Sequence, residues 1–575
     1  MSTGGAVFAH PAREWIIPPP DGVASRALID TLGISPLTAA VLVARGAQTF
    51  DEAGAALNQE GGTCPDPFLL SGMEHAVDRL RQAVVNRERI VVYGDYDVDG
   101  ACATALYLGL FNALGHSAEF YIPQRLKEGY GLNLDAVRRI AAAGTSLLIT
   151  ADCGTTSHGE IAAAHSLGID VIVTDHHLTS DRLPDAVAIL NPCKAESGYP
   201  FPGLCSGGLA YKVATAYAIK HGTPGWDPDS QLDLVALSTI ADVAPLQDEN
   251  RRFVHRGLRA MSTSERPGLQ ALKTVAGVDG ECTVGTVGYT LAPRINAAGR
   301  LGDAADAVRL LLTQEPEEAR ALAGLLDRMN RERQQIEERL LSEAIEMVEK
   351  KRTTEASHAI VLASRSWHSG VVGIAASRIV ERYHRPAVLI ALNESGLGRG
   401  SARSLPGINI CDAIAHGREH LEGFGGHAAA AGLSIREERI PAFRACFEAA
   451  IEELGRGLPC PRLRCDAELE LSGLLPKMVR ELARLGPFGA GNPEPTLVFR
   501  RLRVTSAKMI GQHHLKLTVR GRQGPVMHAI GFGMGSLESR GCSMEAPVDL
   551  ACALDINSYN GTEAVQFRLK DLRPS

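Results

Sequence analysis

Apolar positions along this chain follow three rhythms in turn. From about residue 75 to 190, β-branched runs at 90–94, 118–122, 146–150, 168–174 and 186–190 alternate with amphipathic stretches such as 101–114. Short apolar runs separated by helical stretches predict buried parallel strands with helices returning across them, a doubly wound α/β sheet. After Pro316 the period lengthens, and Leu322, Leu325, Leu326, Met329, Ile336, Leu340, Ala344, Met347 and Val348 recur at helical spacing to about residue 351. At 1.5 Å per residue that helix spans roughly 50 Å. Its middle, 330–335, is almost wholly polar. The expectation is a bridge between two lobes across a solvent-filled cleft, with a coiled-coil partner as the alternative. Strands are expected again at 358–363 and 386–391. From about residue 460 the rhythm becomes short alternation, at 496–505, 515–520, 526–533, 548–556 and 564–569, with glycine-rich turns between.

The chain therefore divides into a helical lead-in (1–70), a first α/β domain (71–315), a connecting helix (316–352), a second, smaller α/β domain (353–458) and a small β-barrel (459–575), five short strands suiting the OB type. At 575 residues several domains are expected. A net charge of −7 gives no global basic signature, so any nucleic-acid surface has to be local. The 12 cysteines form no C-x-x-C pairs and several lie within apolar runs, as buried thiols of a reducing compartment do. No targeting segment is evident, and no apolar run reaches the about 20 residues of a membrane span. A cytoplasmic protein is expected.

Chemistry concentrates at the ends of the first domain's strands. The run 90–94 ends in Asp95, Asp97 and Asp99 at alternate positions and then Gly100. Strand carboxyl ends are where open α/β sheets bind ligands, and clustered hard oxygens suit divalent cations. The spacing imitates an EF-hand loop, but the twelfth position is Leu106 where that loop needs Glu, and a strand precedes it. A solvated acidic turn is the other bland reading. Asp152 ends the run 146–150, Asp175-His176-His177 ends 168–174, and Asp242 closes the helical run 237–241. Each alone could be a turn residue. Imidazole among carboxylates suits Mn²⁺ and other transition metals. Two cations about 3.5–4 Å apart can activate water and stabilise both oxygens of an in-line phosphoryl displacement.

The set GDYDVDG, TADCG, TDHH and ADVAP, in this order, resembles the four motifs of the DHH phosphoesterase superfamily, and the whole chain is similar to its RecJ branch of single-stranded-DNA-specific exonucleases. The resemblance implies that Asp95, Asp97, Asp99, Asp152, His176 and Asp242 ligate two Mn²⁺ or Mg²⁺ ions, with Asp152 bridging and Asp95 the least secure. It implies that His177 faces the scissile phosphate and that Asp175 orients a histidine from behind it. Arg125, in PQRLKEGYG, matches a phosphate contact, the alternative being an ordinary surface arginine. Arg294, Asn296 and Arg300, in PRINAAGR, match a segment beside the metals, Arg294 and Asn296 taken as catalytic and Arg300 as substrate-binding.

In the second domain, GRGSARS and GFGGHAAAAG place arginines among glycines, where backbone N–H groups can approach anions, though structural turns are the default use of glycine. This domain resembles the DHH-associated domain. The likeness implies that Ser401 and Arg403 hold a 5′-terminal phosphate and that His427 lies near the scissile or adjacent phosphate. In the barrel, Arg500, Arg501, Arg503, Lys508, His513, His514, Lys516, Arg520 and Arg522 form a local basic stretch with few exposed aromatics. That predicts tracking of a phosphate backbone, or else a solvated charged face.

The sequence reading is thus an α/β enzyme: a parallel-sheet DHH domain and a smaller α/β DHH-associated domain joined by a long helix, plus a C-terminal OB-type β-barrel. Its implied reaction is two-metal hydrolysis of single-stranded DNA from the 5′ end, releasing 5′-mononucleotides in repair and recombination. The expected setting is a monomer cooperating with a helicase and a single-strand-binding protein. The alternatives are a phosphodiesterase of short oligonucleotides or cyclic dinucleotides, whose relatives lack a terminal barrel, and a non-catalytic DNA-binding scaffold, whose acidic positions would have decayed.

Overall fold

A computed structural model describes residues 13–60, 64–352, 357–455, 461–511, 514–559 and 562–575. The first α/β lobe is built on five parallel strands, β1 (Ile90–Gly94), β2 (Glu119–Tyr121), β3 (Leu147–Ala151), β4 (Asp170–Thr174) and β5 (Ala188–Leu190), in the order 2-1-3-4-5. That order reverses between β1 and β3, so a crevice opens at their carboxyl ends. Helices α1 (Val98–Ala113), α2 (Ser206–His221) and α3 (Leu232–Ala241) are nearly all buried, which fits their continuous apolar composition. Helix α4 (Ala292–Leu301) precedes the connecting helix α5 (Pro316–Arg352), which runs for 37 residues as its spacing predicts.

The polar middle of α5 differs from expectation. Asn330 is 2% exposed and Arg333 9%, so one polar face is packed rather than bathed in solvent. Arg333 satisfies itself there, its Nε and Nη2 donating to Asn330 Oδ1 and its Nη1 to Glu337. Buried polar groups are tolerated where they bond one another.

The second lobe has the strand order 9-10-8-7-6: β6 (Ile360–Ser364) and β7 (Ala387–Leu392) are parallel, while β8 (Leu397–Arg403), β9 (Leu421–Gly426) and β10 (Ala430–Arg436) are antiparallel. Helix α6 (Val372–Tyr383) packs on this sheet. The glycine-rich segments read as turns are strands instead. A Cβ at Gly398 would lie 2.6 Å from Ile390 Cγ2 and one at Gly400 2.7 Å from Leu433 Cδ1, so these glycines permit close packing within the sheet.

The C-terminal strands close into a barrel, Leu497–Ile510 pairing with both His514–Arg520 and Val548–Tyr559. The lead-in has no separate core. Leu28, Leu37, Leu42 and Leu57 share one with barrel residues Leu497, Phe499 and Leu517, and the strand Glu14–Ile16 pairs in parallel with Arg462–Arg464. No disulfide joins the described cysteines, and no described helix is long and apolar enough to cross a membrane.

Candidate metal centre and nucleic-acid cleft

Three acids each follow directly on a strand of the first sheet. Asp95 succeeds Gly94, Asp152 succeeds Ala151 and Asp175 succeeds Thr174, and the register aligns Gly94 with Ala151 and Ala151 with Thr174. Neighbouring strands lie about 4.8 Å apart, so this register sets the carboxylates side by side. The ladder continues into them: Asp95 N donates to Ala151 O at 3.0 Å and Asp152 N to Thr174 O at 3.1 Å. Asp152 holds a φ of +71°, a conformation costly for a side chain other than glycine.

The remaining acids are fixed by helix ends. Asp97 caps α1, its Oδ1 accepting from the N–H groups of Asp99 (2.9 Å) and Gly100 (3.1 Å). A Cβ at Gly100 would stand 2.5 Å from Asp95 O, so only glycine fits this turn. Asp99 is gripped by the start of α2, where Ser206 N donates to its Oδ2 at 2.8 Å and Gly207 N to its Oδ1 at 2.9 Å. Ser238 Oγ donates to the same carboxylate, and Ser206 Oγ donates to Asp152 Oδ1 at 3.1 Å. Sequence reasoning missed these holding residues. The signal they left is a helix beginning Cys205-Ser206-Gly207-Gly208 with no side-chain cap of its own, which leaves its N–H groups for a carboxylate from elsewhere.

His176 Nε2 sits 3.1 Å from Asp152 Oδ1, 3.5 Å from Asp99 Oδ2 and 3.8 Å from Asp242 Oδ2. Ligand atoms of Asp95, Asp97 and Asp152 lie within 4.8 Å of one another, as do those of Asp99, His176 and Asp242, and of Asp152, His176 and His177. Asp152 thus takes part in two of the groups. Burial and then neighbouring carboxylates push these acids up: Asp95 and Asp152 well above the ordinary range, Asp97 above it and Asp242 to about 9. Asp95 Oδ1 is buried with no hydrogen-bond partner. An oxygen-rich set that repels itself and leaves an orphan acceptor fits hard divalent cations, with the imidazole favouring Mn²⁺.

Asp175 faces the other way. Its Oδ1 accepts from the N–H groups of His176 (2.8 Å) and His177 (3.1 Å) and meets His177 Nδ1 at 2.7 Å, while Thr155 N donates to its Oδ2 at 3.0 Å. Burial alone would raise the carboxyl and lower the imidazole. Their mutual hydrogen bond and charge reverse both, holding Asp175 below the usual range and His177 above it. Tyr130, which the motifs had not singled out, donates from its hydroxyl to Asp152 O at 3.1 Å and packs edge-on against His177.

Across the cleft, the second lobe brings His427 to 6.4 Å from His177, the rings nearly parallel. The Arg125 guanidinium lies 4.9 Å over the Tyr96 ring. Arg300 Nη1 donates to Gly370 O at 3.1 Å, and Arg403 Nη1 donates to Ser401 Oγ at 2.9 Å and Ala402 O at 2.8 Å. A Cβ at Gly373 would stand 3.0 Å from both Ser401 Oγ and Arg403 Nη2, so glycine lets the start of α6 approach this pair. Among the described residues none of these three arginines forms an ion pair with a carboxylate. Burial, then Arg125 and Arg333, pulls Arg300 down to about 10, and burial with Arg125 lowers Arg403. Arg294 and Asn296 go elsewhere. Arg294 Nε donates to Asp327 Oδ1 of the connecting helix at 3.0 Å, and Asn296 Oδ1 accepts from Val98 N at the start of α1 at 3.2 Å.

On the barrel, Arg503 stands opposite Arg520 and Lys508 opposite Lys516, all exposed. Like charges directly across strands are unfavourable until an anion joins them. Arg500 instead pairs with Glu468 and Asp549, and His513 lies outside the described residues. Phe532, 60% exposed, packs edge-on against His514 and adds an aromatic surface to the basic one.

Family comparison matches residues 89–239 to the DHH family N-terminal domain, 356–453 to the DHHA1 domain and 465–571 to the RecJ OB domain. The single-stranded-DNA-specific exonuclease RecJ of Bacillus subtilis is 38% identical over 563 residues, 97% of this chain and 70% of that protein. The crystal structure of Thermus thermophilus RecJ in complex with Mn²⁺ superposes with a TM-score of 0.83 at 32% identity, covering 98% of this chain and 80% of that one. The same protein in complex with Mg²⁺ superposes at 0.77 with 31% identity, covering 98% and 78%. With identity at this level over this share of both chains, and three matched domains in one order, the chain belongs to the RecJ family.

Proposed function

We propose that this chain is a metal-dependent exonuclease specific for single-stranded DNA, hydrolysing phosphodiester bonds from the 5′ end to release 5′-mononucleotides in DNA repair and recombination. The observation that carries this reading is the meeting, in one cleft, of a self-repelling cluster of acids with unpaired arginines. Either set alone has a bland explanation; together they suit a phosphate held against cations. The relatives named for single-stranded DNA and the crystal structures with Mn²⁺ and Mg²⁺ support the same conclusion.

Asp95, Asp97, Asp99, Asp152, His176 and Asp242 would hold two ions, either Mn²⁺ or Mg²⁺, with Asp152 shared between them. When bound, the ions supply Lewis acidity that activates water and stabilises charge on the phosphoryl oxygens. The protein's own groups do the rest. Asp175 holds His177 in orientation toward the scissile phosphate, with His427 facing it from the other lobe. Arg125 and Arg300 take the strand's phosphates. Ser401 and Arg403 bind the terminal 5′-phosphate and thereby set both polarity and the one-nucleotide step. Asn296 acts as a positioning residue for the Asp97 turn, and Arg294 ties α4 to α5.

The exposed cation pairs of the barrel receive the strand upstream. An enzyme that reads single strands needs them supplied, so it works as a cytoplasmic monomer beside a helicase and a single-strand-binding protein. Sedimentation of the isolated chain tests the monomer, and a faster rate on nicked duplex when a helicase is added tests the partner.

The deciding experiment digests long single-stranded DNA labelled at either end in Mn²⁺, with blunt duplex and a dinucleotide in parallel and Asp97→Ala as control. Mononucleotides released only from the 5′ end of the long strand, and not by the variant, are expected. Cleavage of the dinucleotide alone would move the protein to the short-substrate class, and binding without cleavage to the scaffolds.

A further inference from the structure

Between the barrel and the metal centre runs a helical rod, Val284 to Leu301, whose hydrogen-bond ladder slips into a π-turn over Val287–Leu291. Ala292 N reaches back five residues to Val287 O, and Pro293, which follows it, has no N–H to offer the Tyr289 carbonyl. Arg294 Nη1 donates to the Thr290 carbonyl at 2.6 Å. Tyr289 lies within this π-turn. At 89% exposure it is the most exposed large apolar side chain among the described residues. Folding gains nothing from a tyrosine placed there, and π-turns concentrate at functional sites.

Tyr289 borders an open cleft of ≈ 500 Å³ lined also by Asn296 and Arg300 of the same rod, Arg333, Glu337 and Glu338 of α5 and Arg378 of α6, with Arg333 Nη1 donating to Glu337. That volume suits a nucleotide-sized occupant. The rod's two ends fix its bearing. Near its start Val284 lies under the segment leading into the barrel, where a Cβ at Gly489 would be 3.7 Å from Val284 Cγ1. Near its end Gly299 presses on the metal loop, where a Cβ would be 2.4 Å from Tyr96 O. Tyr289 therefore precedes Arg300 by roughly 15 Å along the rod, on the way from barrel to metals.

We propose that Tyr289 is a stacking platform for one nucleobase of the single-stranded substrate, a few nucleotides from the cleaved bond, which keeps the strand on its path while Arg300 takes a phosphate further in. This rests on the exonuclease reading above. A flat phenol accepts any base on its face, so the contact holds the strand without selecting sequence. Because it is remote from the reacting bond and made equally before and during reaction, it acts on KM and leaves kcat alone.

The test compares wild type, Tyr289→Ala and Tyr289→Phe in Mn²⁺ on a long single strand, on a dinucleotide too short to reach the ring, and on strands carrying one abasic residue at successive positions from the 5′ end. For the long strand, Tyr289→Ala is expected to raise KM about tenfold with kcat within about twofold, and Tyr289→Phe to restore it. On the dinucleotide the variants should match wild type. One abasic position should raise KM for wild type and be silent in Tyr289→Ala. An unchanged KM in Tyr289→Ala, an equal loss in Tyr289→Phe, or an equal loss on the dinucleotide would overturn the platform while leaving the exonuclease standing. A wild type that digests no single strand overturns both.

Discussion

The two walls of the cleft break the same rule with opposite charges. On the first lobe, carboxylates crowd together behind parallel strands, buried and raised by one another. Beside and across from them, Arg300 of α4 and Arg403 of the second lobe are part-buried and lowered, first by that burial and then by a neighbouring guanidinium. Elsewhere the chain pairs such groups: Lys212 meets Glu249 at 3.0 Å, Arg266 meets Asp233 at 3.1 Å and Arg294 meets Asp327 at 3.0 Å. The difference teaches that acids and arginines close enough to neutralise each other are held apart here. The Asp99 carboxylate is tied down by N–H and hydroxyl donors, and the Arg300 and Arg403 guanidiniums by backbone carbonyls and a serine. Both walls stay unsatisfied until cations and a phosphate enter between them.

The strongest way to break this contrast is Asp152→Asn. Activity should fall about a thousandfold, while the metal-free protein, relieved of one repelling charge, should melt a few degrees higher by calorimetry. A stability loss would show the acid wall to be structural. Among the arginines, Arg300→Met should cost about a hundredfold in kcat/KM on single-stranded DNA with no loss of melting temperature, since no ion pair is broken. Adding Mn²⁺ at a hundred times its dissociation constant should stabilise wild type by about 2.7 kcal/mol, and Asp152→Asn much less, when thermal unfolding is followed with and without the metal. The smallest effect sharpens the comparison by its sign: Arg294→Ala removes a paired arginine, so stability should drop by about 2 kcal/mol in denaturant melts while activity changes less than about tenfold.

Asp95, Asp152 and Asp175 were legible because each sits immediately after a short apolar run, and a parallel sheet carries all such ends to one edge. The strands themselves followed from runs such as Ile90–Gly94 and Leu147–Ala151. Less could be read of the supports. Ser206 and Ser238 reach Asp99 from 107 and 139 residues away; an uncapped helix start marks Ser206, and nothing in its local pattern marks Ser238. The glycines of β8 looked like turn residues because sequence shows the missing Cβ but not the Leu433 or Ile390 side chain that fills its place. The polar middle of the connecting helix looked solvated because the Asn330 and Arg333 bonds that make burial tolerable are invisible in a hydropathy pattern.

By itself the sequence determined the identity and order of the elements, the strand-end acids and histidines, and the alternating rhythm of a barrel, since these rest on periods of two and about four residues and on chemistry carried by single side chains. The tertiary structure alone decided that the lead-in helices complete the barrel's core, that Asp97 and Asp99 are locked by helix starts, that Arg294 is paired while Arg300 is not, and that Tyr289 stands exposed on the rod that ends at the metal loop. Each of these depends on which distant segments meet, and that is set by packing the whole chain rather than by any window of it.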